Sequence, residues 1–258
     1  MSEIPSTSPA HVPDHPLVDL ATIYAELQAL VLADPDVAAF LDGVARLATD
    51  IVSPPVSVGI TARERGGPVT VAASDVLATS ADEVQYGAGQ GPCLQALSTG
   101  EVVGVPDLVR DDRWPDYRPH ALARGVRSSL SLPLHAARQT YAALNLYSTD
   151  VQAFEGHADR AGGFARQAST ALALVVRACD QARLSDQLRQ ALTARTVIDQ
   201  ALGILMAQER CTADEAFRVL RGASQHRNLK LRDVAAALVE TVTGHPPRPG
   251  RPFTDASS

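Results

Sequence analysis

Lysine is almost missing from this 258-residue chain: Lys230 is the only one, against 22 arginines. An ordinary phosphoacceptor receiver domain uses a lysine near its acceptor aspartate, so none is encoded ahead of residue 230. Such a uniform arginine bias fits a GC-rich coding sequence and argues against reading every arginine as a chosen bidentate ligand. Cysteine is scarce too. Cys93, Cys179 and Cys211 are odd in number, far apart and without metal-ligand spacing, and read as reduced thiols of a cytoplasmic protein. The seven histidines are scattered, with no Ser-His-Asp or His-x-x-x-His pattern, so no catalytic or metal-binding residue is assigned. No window approaches the ~18 consecutive apolar residues that span a bilayer. Met1–Pro16 holds Pro, Ser and His but no apolar core of a secretory signal, and is expected to be a disordered arm.

What is present suits about two globular domains: 45% hydrophobic and 20% charged residues over this length. Charge divides them. Met1–Ala182 holds 12 basic and 21 acidic residues, whereas Arg183–Gly244 holds 9 basic and 7 acidic. Arg218, Arg221, Arg227, Lys230 and Arg232 follow one another with no acid before Asp233. An overall acidic balance therefore conceals a locally basic stretch. Charge alone is equally met by a solvated helix face.

Three helices can be read in that basic stretch. Leu192, Val197, Ile198, Ala201, Leu205 and Met206 recur at three- and four-residue spacing. Gly203 within that run would cost roughly 1 kcal/mol against Ala in an exposed helix, and a close helix crossing is the expected reason for it. Thr212 with Glu215 forms a capping box for a second helix, whose apolar stripe is Ala216, Phe217, Val219 and Leu220. Leu231, Val234, Ala235, Leu238 and Val242 give the third, stopped by Gly244 and Pro246-Pro247. The residues from Ala191-Leu192-Thr193-Ala194-Arg195 through Gln200-Ala201-Leu202-Gly203-Ile204-Leu205-Met206, Asp214-Glu215-Ala216-Phe217-Arg218 and Asn228-Leu229-Lys230-Leu231-Arg232-Asp233 closely resemble the ANTAR domain. That family is a three-helix antiterminator module of bacterial transcription. Many members carry a Lys where this chain has Leu202, which removes one phosphate contact.

The N-terminal part alternates differently. Asp34-Pro35 is expected to start a helix carrying Val37, Phe40, Leu41, Val44, Leu47, Ala48 and Ile51 on one face, stopped at Pro54-Pro55. Val56–Ile60 and Val69–Ala73 read as a hairpin across Gly66-Gly67-Pro68. A mixed segment without assigned structure leads to Gly87-Ala88-Gly89-Gln90-Gly91, expected to be a tight turn before a short helix, because no Gly-Lys-Ser/Thr follows it. Glu101–Val105, Val126–Leu134 and Tyr141–Tyr147 are further strands. The order implies an α+β sensor-type domain on one antiparallel sheet.

Gly89-Gln90-Gly91-Pro92-Cys93, Val105-Pro106-Asp107-Leu108, Asp112-Arg113-Trp114-Pro115, Gly125-Val126-Arg127-Ser128 and Ala143-Leu144-Asn145-Leu146-Tyr147-Ser148 resemble the GAF domains of actinobacterial regulators, over roughly Asp34 to Ala178. The resemblance implies a small-molecule pocket against the sheet, for which Cys93, Trp114, Tyr117, Ser129 and Ser131 are the candidate residues. No lysine is available for the Asn-Lys-Phe-Asp-Glu signature of cyclic-nucleotide members, which argues against cyclic GMP or AMP. No cofactor is specified. Cys93 starts a helix whose dipole can lower a thiol pKa, so redox sensing stands beside a buried structural role. Trp114 is equally a core plug. The acids Asp111, Asp112 and Asp116 are explained by a solvated loop.

Between the two parts, Phe154 to Leu192 reads as one long helix. Ala161, Phe164, Ala168, Ala171, Val175, Ala178 and Ala182 alternate by three and four like a coiled-coil seam, which then shifts to Leu184, Leu188 and Ala191. Its first half is also suited to packing on the GAF sheet, with a partner helix completing the seam.

These readings give an α+β chain: a GAF-like antiparallel-sheet sensor (17–153) after the arm (1–16), a long coiled-coil connector (154–190), a three-helix ANTAR bundle (191–244) and a disordered tail (245–258). The implied function is a cytoplasmic, dimeric antiterminator that binds stem-loop RNA, gated by a ligand in the GAF domain, with no membrane partner and no enzymatic activity. Arg195, Arg221, Lys230 and Arg232 are assigned to phosphates or bases, and Ser224, Gln225 and Asn228 to hydrogen-bonded reading of bases. Two alternatives stand: a DNA-binding regulator with a helix-turn-helix-like C-terminus, and a thiol redox enzyme, which a missing second thiol in the GAF region disfavours.

Overall fold

The computed structural model describes residues 20–33, 36–50, 56–136 and 139–247. The chain divides into two compact units between Cys179 and Asp180. The expected arm, the Asp34-Pro35 helix start, Pro54-Pro55 and most of the tail lie outside the described residues.

In the first unit, helices α1 (Leu20–Leu32) and α2 (Val37–Ala48) precede strands β1 (Ser57–Glu64) and β2 (Gly67–Ala73). The cap of α2 is Asp36, whose carboxylate accepts from the backbone N–H of Ala38 at 3.0 Å. Helices α3 (Val76–Ala88) and α4 (Pro92–Thr99), strand β3 (Val103–Val105), helix α5 (Arg118–Ala123) and strands β4 (Ser128–Ala136) and β5 (Gln139–Ser148) follow. The segment left unassigned after β2 is thus α3, with Asp75 as its N-cap and Gly89 ending it in a left-handed conformation. α1 was not foreseen either. The glycine-rich turn is shorter than expected: Gly87 and Ala88 still belong to α3, Gly89 closes it, and Gly91 at φ 150° opens α4.

The five strands form one antiparallel sheet in the order β2-β1-β5-β4-β3. Strand alternation gives its two faces different chemistry. Val58, Ile60, Leu130, Leu132, Leu134, Leu144 and Leu146 are buried on one face with α1, α2 and the start of the long helix α6 (Ala158–Glu209). There Ala161, Phe164, Ala168, Ala171, Leu172 and Val175 are all buried, so the first half of the alternating alanine seam is spent on the sensor core. The other face presents Gly59, Thr61, Ser129, Ser131, Asn145 and Tyr147 towards α3, α4 and α5. Among these, Thr61, Ser129, Ser131, Asn145 and Tyr147 are at most 2% exposed. A buried sheet face this polar requires an internal hydrogen-bond network.

The second unit holds the C-terminal part of α6 with α7 (Ala213–Arg227) and α8 (Leu231–Thr243). Val197, Ala201, Leu205, Ala216, Leu220, Val234, Ala235 and Val239 form its core. The capping box is present, with Thr212 and Glu215 bonding each other's backbone N–H reciprocally. Several details differ from expectation: Leu192, Met206 and Val242, read as members of the apolar stripes, are exposed rather than buried. Phe217 and Val219 point to solvent, because Ala216 and Leu220 suffice to fill a core between slender helices. A Cβ at Gly203 would meet nothing within 4 Å, so no close crossing within the chain explains that glycine.

Candidate RNA interface and sensor site

The polar face of the sheet is organised around Asp82, which is fully buried on α3. Its carboxylate accepts from the hydroxyl of Tyr147 at 2.5 Å, the amide of Asn145 at 3.1 Å and the hydroxyl of Thr70 at 3.0 Å. The Asn145 amide also donates to Thr61, and the hydroxyl of Tyr86 lies 2.9 Å from Thr61 Oγ1 and 2.7 Å from Thr70 Oγ1. Gln85, one turn along α3, donates to Tyr147 at 2.8 Å and accepts from the backbone N–H of Cys93 at 2.7 Å. Two glycines make room for these contacts. A Cβ at Gly59 would fall 2.7 Å from Asp82 Oδ2, and one at Gly91 2.4 Å from Gln85 Oε1.

Burial shifts every titratable group here. It raises the Asp82 carboxyl to about 6, against the opposing pull of its hydrogen bonds from Tyr147, Thr70 and Asn145. Burial, followed by the Asp82 charge, pushes the Cys93 thiol up to about 12 and raises the Tyr117 and Tyr147 hydroxyls. Burial thus outweighs the dipole at the start of α4, and the fully buried Cys93 thiol stays protonated.

All five sequence-derived sensor residues lie on this side of the sheet. Cys93, Trp114 and Tyr117 belong to one core cluster, with Trp114 and Tyr117 edge-to-face at 6.5 Å. Ser129 and Ser131 face out of β4 opposite Tyr147 and Asn145. Asp82, Gln85, Tyr86, Asn145 and Tyr147 were missed. The signal existed: Asp82, Gln85 and Tyr86 stand three and four apart between a capping aspartate and a stopping glycine, and Asn145 and Tyr147 alternate with Leu144 and Leu146. In the acidic loop Asp112 and Asp116 are exposed as expected, whereas the Asp111 side chain is only 12% exposed and is held by Arg113, whose hydrogen bonds lower the carboxyl pKa.

In the second unit, six of the seven sequence-derived RNA residues lie along the corner between α7 and α8. Arg221 and Gln225 are exposed on α7. Ser224 donates to the carbonyl of Leu229 at 2.6 Å, and Asn228 adopts φ 51° to end the helix. Both residues are thus committed to shaping the turn. Lys230 is the N-cap of α8, and Arg232 pairs with Asp233 at 3.3 Å. Arg195 sits on α6, paired loosely with Asp199 at 3.9 Å, and among the described residues no hydrogen bond or ion pair joins it to the corner. Among the described residues Arg221, Arg227 and Lys230 form no ion pair, whereas Arg218 has Glu215 at 3.8 Å. The corner therefore offers uncompensated cations on two helices whose geometry is set by their own turn.

The chain thus joins an antiparallel-sheet domain with a buried polar face to a small helical module with a cationic corner. The GAF domain family model matches residues 34–173 and the ANTAR domain model residues 186–239. The chain belongs to the GAF domain family and carries an ANTAR domain after it, the architecture of a transcription regulator rather than of an enzyme. Among curated proteins, none matches it. Similar solved structures include the reduced form of fRMsr of Staphylococcus aureus (13% identity, TM-score 0.45, 59% of this chain and 94% of that one). Others are the GAF domain from Acinetobacter phosphoenolpyruvate-protein phosphotransferase (16%, 0.44, 60% and 92%) and free methionine-R-sulfoxide reductase from Neisseria meningitidis with its substrate (18%, 0.42, 62% and 94%). At these identities no activity carries over. No helix among the described residues is long and apolar enough to cross a membrane.

Proposed function

We propose that this protein is a cytoplasmic regulator that binds stem-loop RNA in nascent transcripts through its ANTAR domain and prevents termination, gated by its GAF domain. The observation that carries the reading is the ANTAR match over helices whose α7–α8 corner holds Arg221, Arg227 and Lys230 without acidic partners. Cations without an acidic partner among the described residues suit a phosphate backbone, and the exposed Gln225 beside them offers a side-chain amide to an unstacked base. The domain acts as a homodimer. Supporting this, Leu184, Leu188 and Leu192 stand 56, 57 and 66% exposed along one side of α6, an apolar stripe left uncovered among the described residues.

The same corner is a helix-turn-helix in outline, which keeps duplex DNA as the competing target. The deciding experiment measures affinity for a paired stem-loop RNA and for duplex DNA side by side, then adds the protein to transcription across a terminator. Preference for the RNA and increased read-through support the proposal. Equal or tighter binding to the duplex, or unchanged termination, overturns it.

A further inference from the structure

Among the described residues, four buried polar atoms on this side of the sheet have no hydrogen-bond partner: Ser129 Oγ, Ser131 Oγ, Asn145 Oδ1 and, ahead of α5, the Tyr117 hydroxyl. None of these residues is more than 2% exposed. Ser129 and Ser131 follow each other on one face of β4, and Ser131 lies opposite Asn145 on β5, so three of the four share a patch a few ångströms wide. Unsatisfied buried groups are costly and native interiors hold few of them. Several on one face mark a place built to meet a hydrogen-bonding guest.

The chemistry of that guest can be read from its surroundings. Both donors of the Asn145 amide are used, by Asp82 and Thr61, so Oδ1 is fixed as an acceptor and needs a donor from the guest. The three hydroxyls serve in either role. Asp82, which Asn145 touches, is hydrogen-bonded by Tyr147, Thr70 and Asn145, with Thr61 beside them, and no cation pairs with it among the described residues. The other titratable groups facing it are Tyr86 from α3, Cys93 from α4, Tyr117 ahead of α5 and Tyr147 from β5, and burial keeps each of them neutral. Arg113, stacked on Trp114 at 4.3 Å, is already matched by Asp111. The local field is therefore negative, and low polarity leaves it poorly screened.

We propose that this face binds a small neutral or cationic hydrogen-bond donor, of the primary amide or protonated amine class, and rejects carboxylates and phosphates. The proposal rests on the sensor reading above and adds the ligand class to it. An amide or ammonium N–H satisfies Asn145 Oδ1 while its remaining groups meet Ser129, Ser131 and Tyr117. An anion offers Asn145 nothing and confronts Asp82 directly.

Trp114 is the only tryptophan of the chain and lies in the same cluster as Tyr117 and Cys93, so its fluorescence reports on this site alone. The full chain is titrated with acetamide, methylammonium, acetate and phosphate at pH 7.5 and constant ionic strength. A saturable change with acetamide or methylammonium, and roughly ten-fold or weaker binding of the two anions, is expected. Ser129→Ala with Ser131→Ala removes two hydroxyls that hold no internal partner, so circular dichroism is unchanged while affinity falls roughly ten-fold or more. Asp82→Asn narrows the gap between methylammonium and acetate. Acetate or phosphate binding as tightly as the donors, silence with all four probes, or full response in the double alanine variant overturns the proposal. RNA affinity measured on the same samples separates the two readings. If it responds to Tyr147→Ala while the probes fail to discriminate, only the ligand class is lost; if no substitution on this face alters it, the sensor reading goes as well.

Discussion

The hydroxyl of Tyr147 donates to the carboxylate of Asp82 across 2.5 Å, joining the last strand of the sheet to the helix above it inside a fully buried layer. Tyr147 is held on its other side by Gln85, and Gln85 in turn holds the start of α4 through Cys93. One carboxylate thus ties α3, α4 and the sheet into a single network. Such networks specify one arrangement when fully satisfied and weaken sharply when a member is lost.

The raised Asp82 pKa gives stability a defined pH dependence. Its folded value, about 6, lies above its ordinary 3.8, so the folded state holds the proton more tightly than the unfolded chain. Stabilisation from this group is complete below pH 4 and is lost as pH rises through 6. Asp82→Asn imitates the protonated form. Urea unfolding of both proteins should show a difference that grows from pH 4 to pH 7, by on the order of 3 kcal/mol at most, in favour of the variant. A difference independent of pH would show that Asp82 is not perturbed.

Gly59→Ala should damage the same network from below. The new Cβ falls 2.7 Å from Asp82 Oδ2, and with the carboxylate fixed by three donors the strand has to yield. A loss of about 1–3 kcal/mol is expected, as for overpacking elsewhere. Gly87→Ala on the exposed end of α3, where a Cβ meets nothing, is the control and should be neutral or slightly stabilising. Equal stability of the two variants would contradict the close approach.

Much of this architecture was legible because apolar periodicity and capping act locally. The Thr212–Glu215 box, the glycine turn at 89–91 and the β4–β5 pair all carry their signals within a few residues. α3 was not legible, because its buried side chains are Ala78, Ala81, Asp82, Val84 and Gln85, and a polar layer erases the apolar stripe by which a helix is recognised. The sensor residues divide on the same ground. Cys93, Trp114 and Tyr117 stood out by residue type, whereas Asp82 and Asn145 matter through partners 63 residues apart. At the other end of the chain, residue type does not show that Ser224 also bonds the Leu229 carbonyl and that the Asn228 backbone ends α7; both depend on the conformation of the turn.

That division yields distinct expectations for the RNA corner. Arg221→Ala and Lys230→Ala each remove an unpaired cation, and each should flatten the log–log salt dependence of RNA binding by about 0.7 if it neutralises one single-stranded phosphate. Arg232, already matched by Asp233, should change the slope less. Ser224→Ala should lower the stability of the second unit by about 1 kcal/mol, through the lost bond to Leu229, with an unchanged salt slope. An Arg221→Ala protein with wild-type affinity and slope would remove that residue from the interface.

The long helix α6 carries two successive apolar stripes of different environment. Val175 is 2% exposed within the sensor core, whereas Leu188 is 57% exposed. A charge at Val175 would be buried without a partner, so Val175→Glu should cost the sensor unit several kcal/mol and show itself first as a lower unfolding midpoint. Leu188→Glu puts its charge in water when the chain is alone, so the single chain should lose less than about 0.5 kcal/mol. In a dimer joined along Leu184, Leu188 and Leu192, the same glutamate faces its own copy within an apolar seam, and association should weaken by roughly a hundred-fold or more. Light scattering and unfolding measured on both variants separate these effects. A wild-type protein that is monomeric at micromolar concentration, or a Leu188→Glu protein that associates as tightly as wild type, would place the dimer contact elsewhere or remove it.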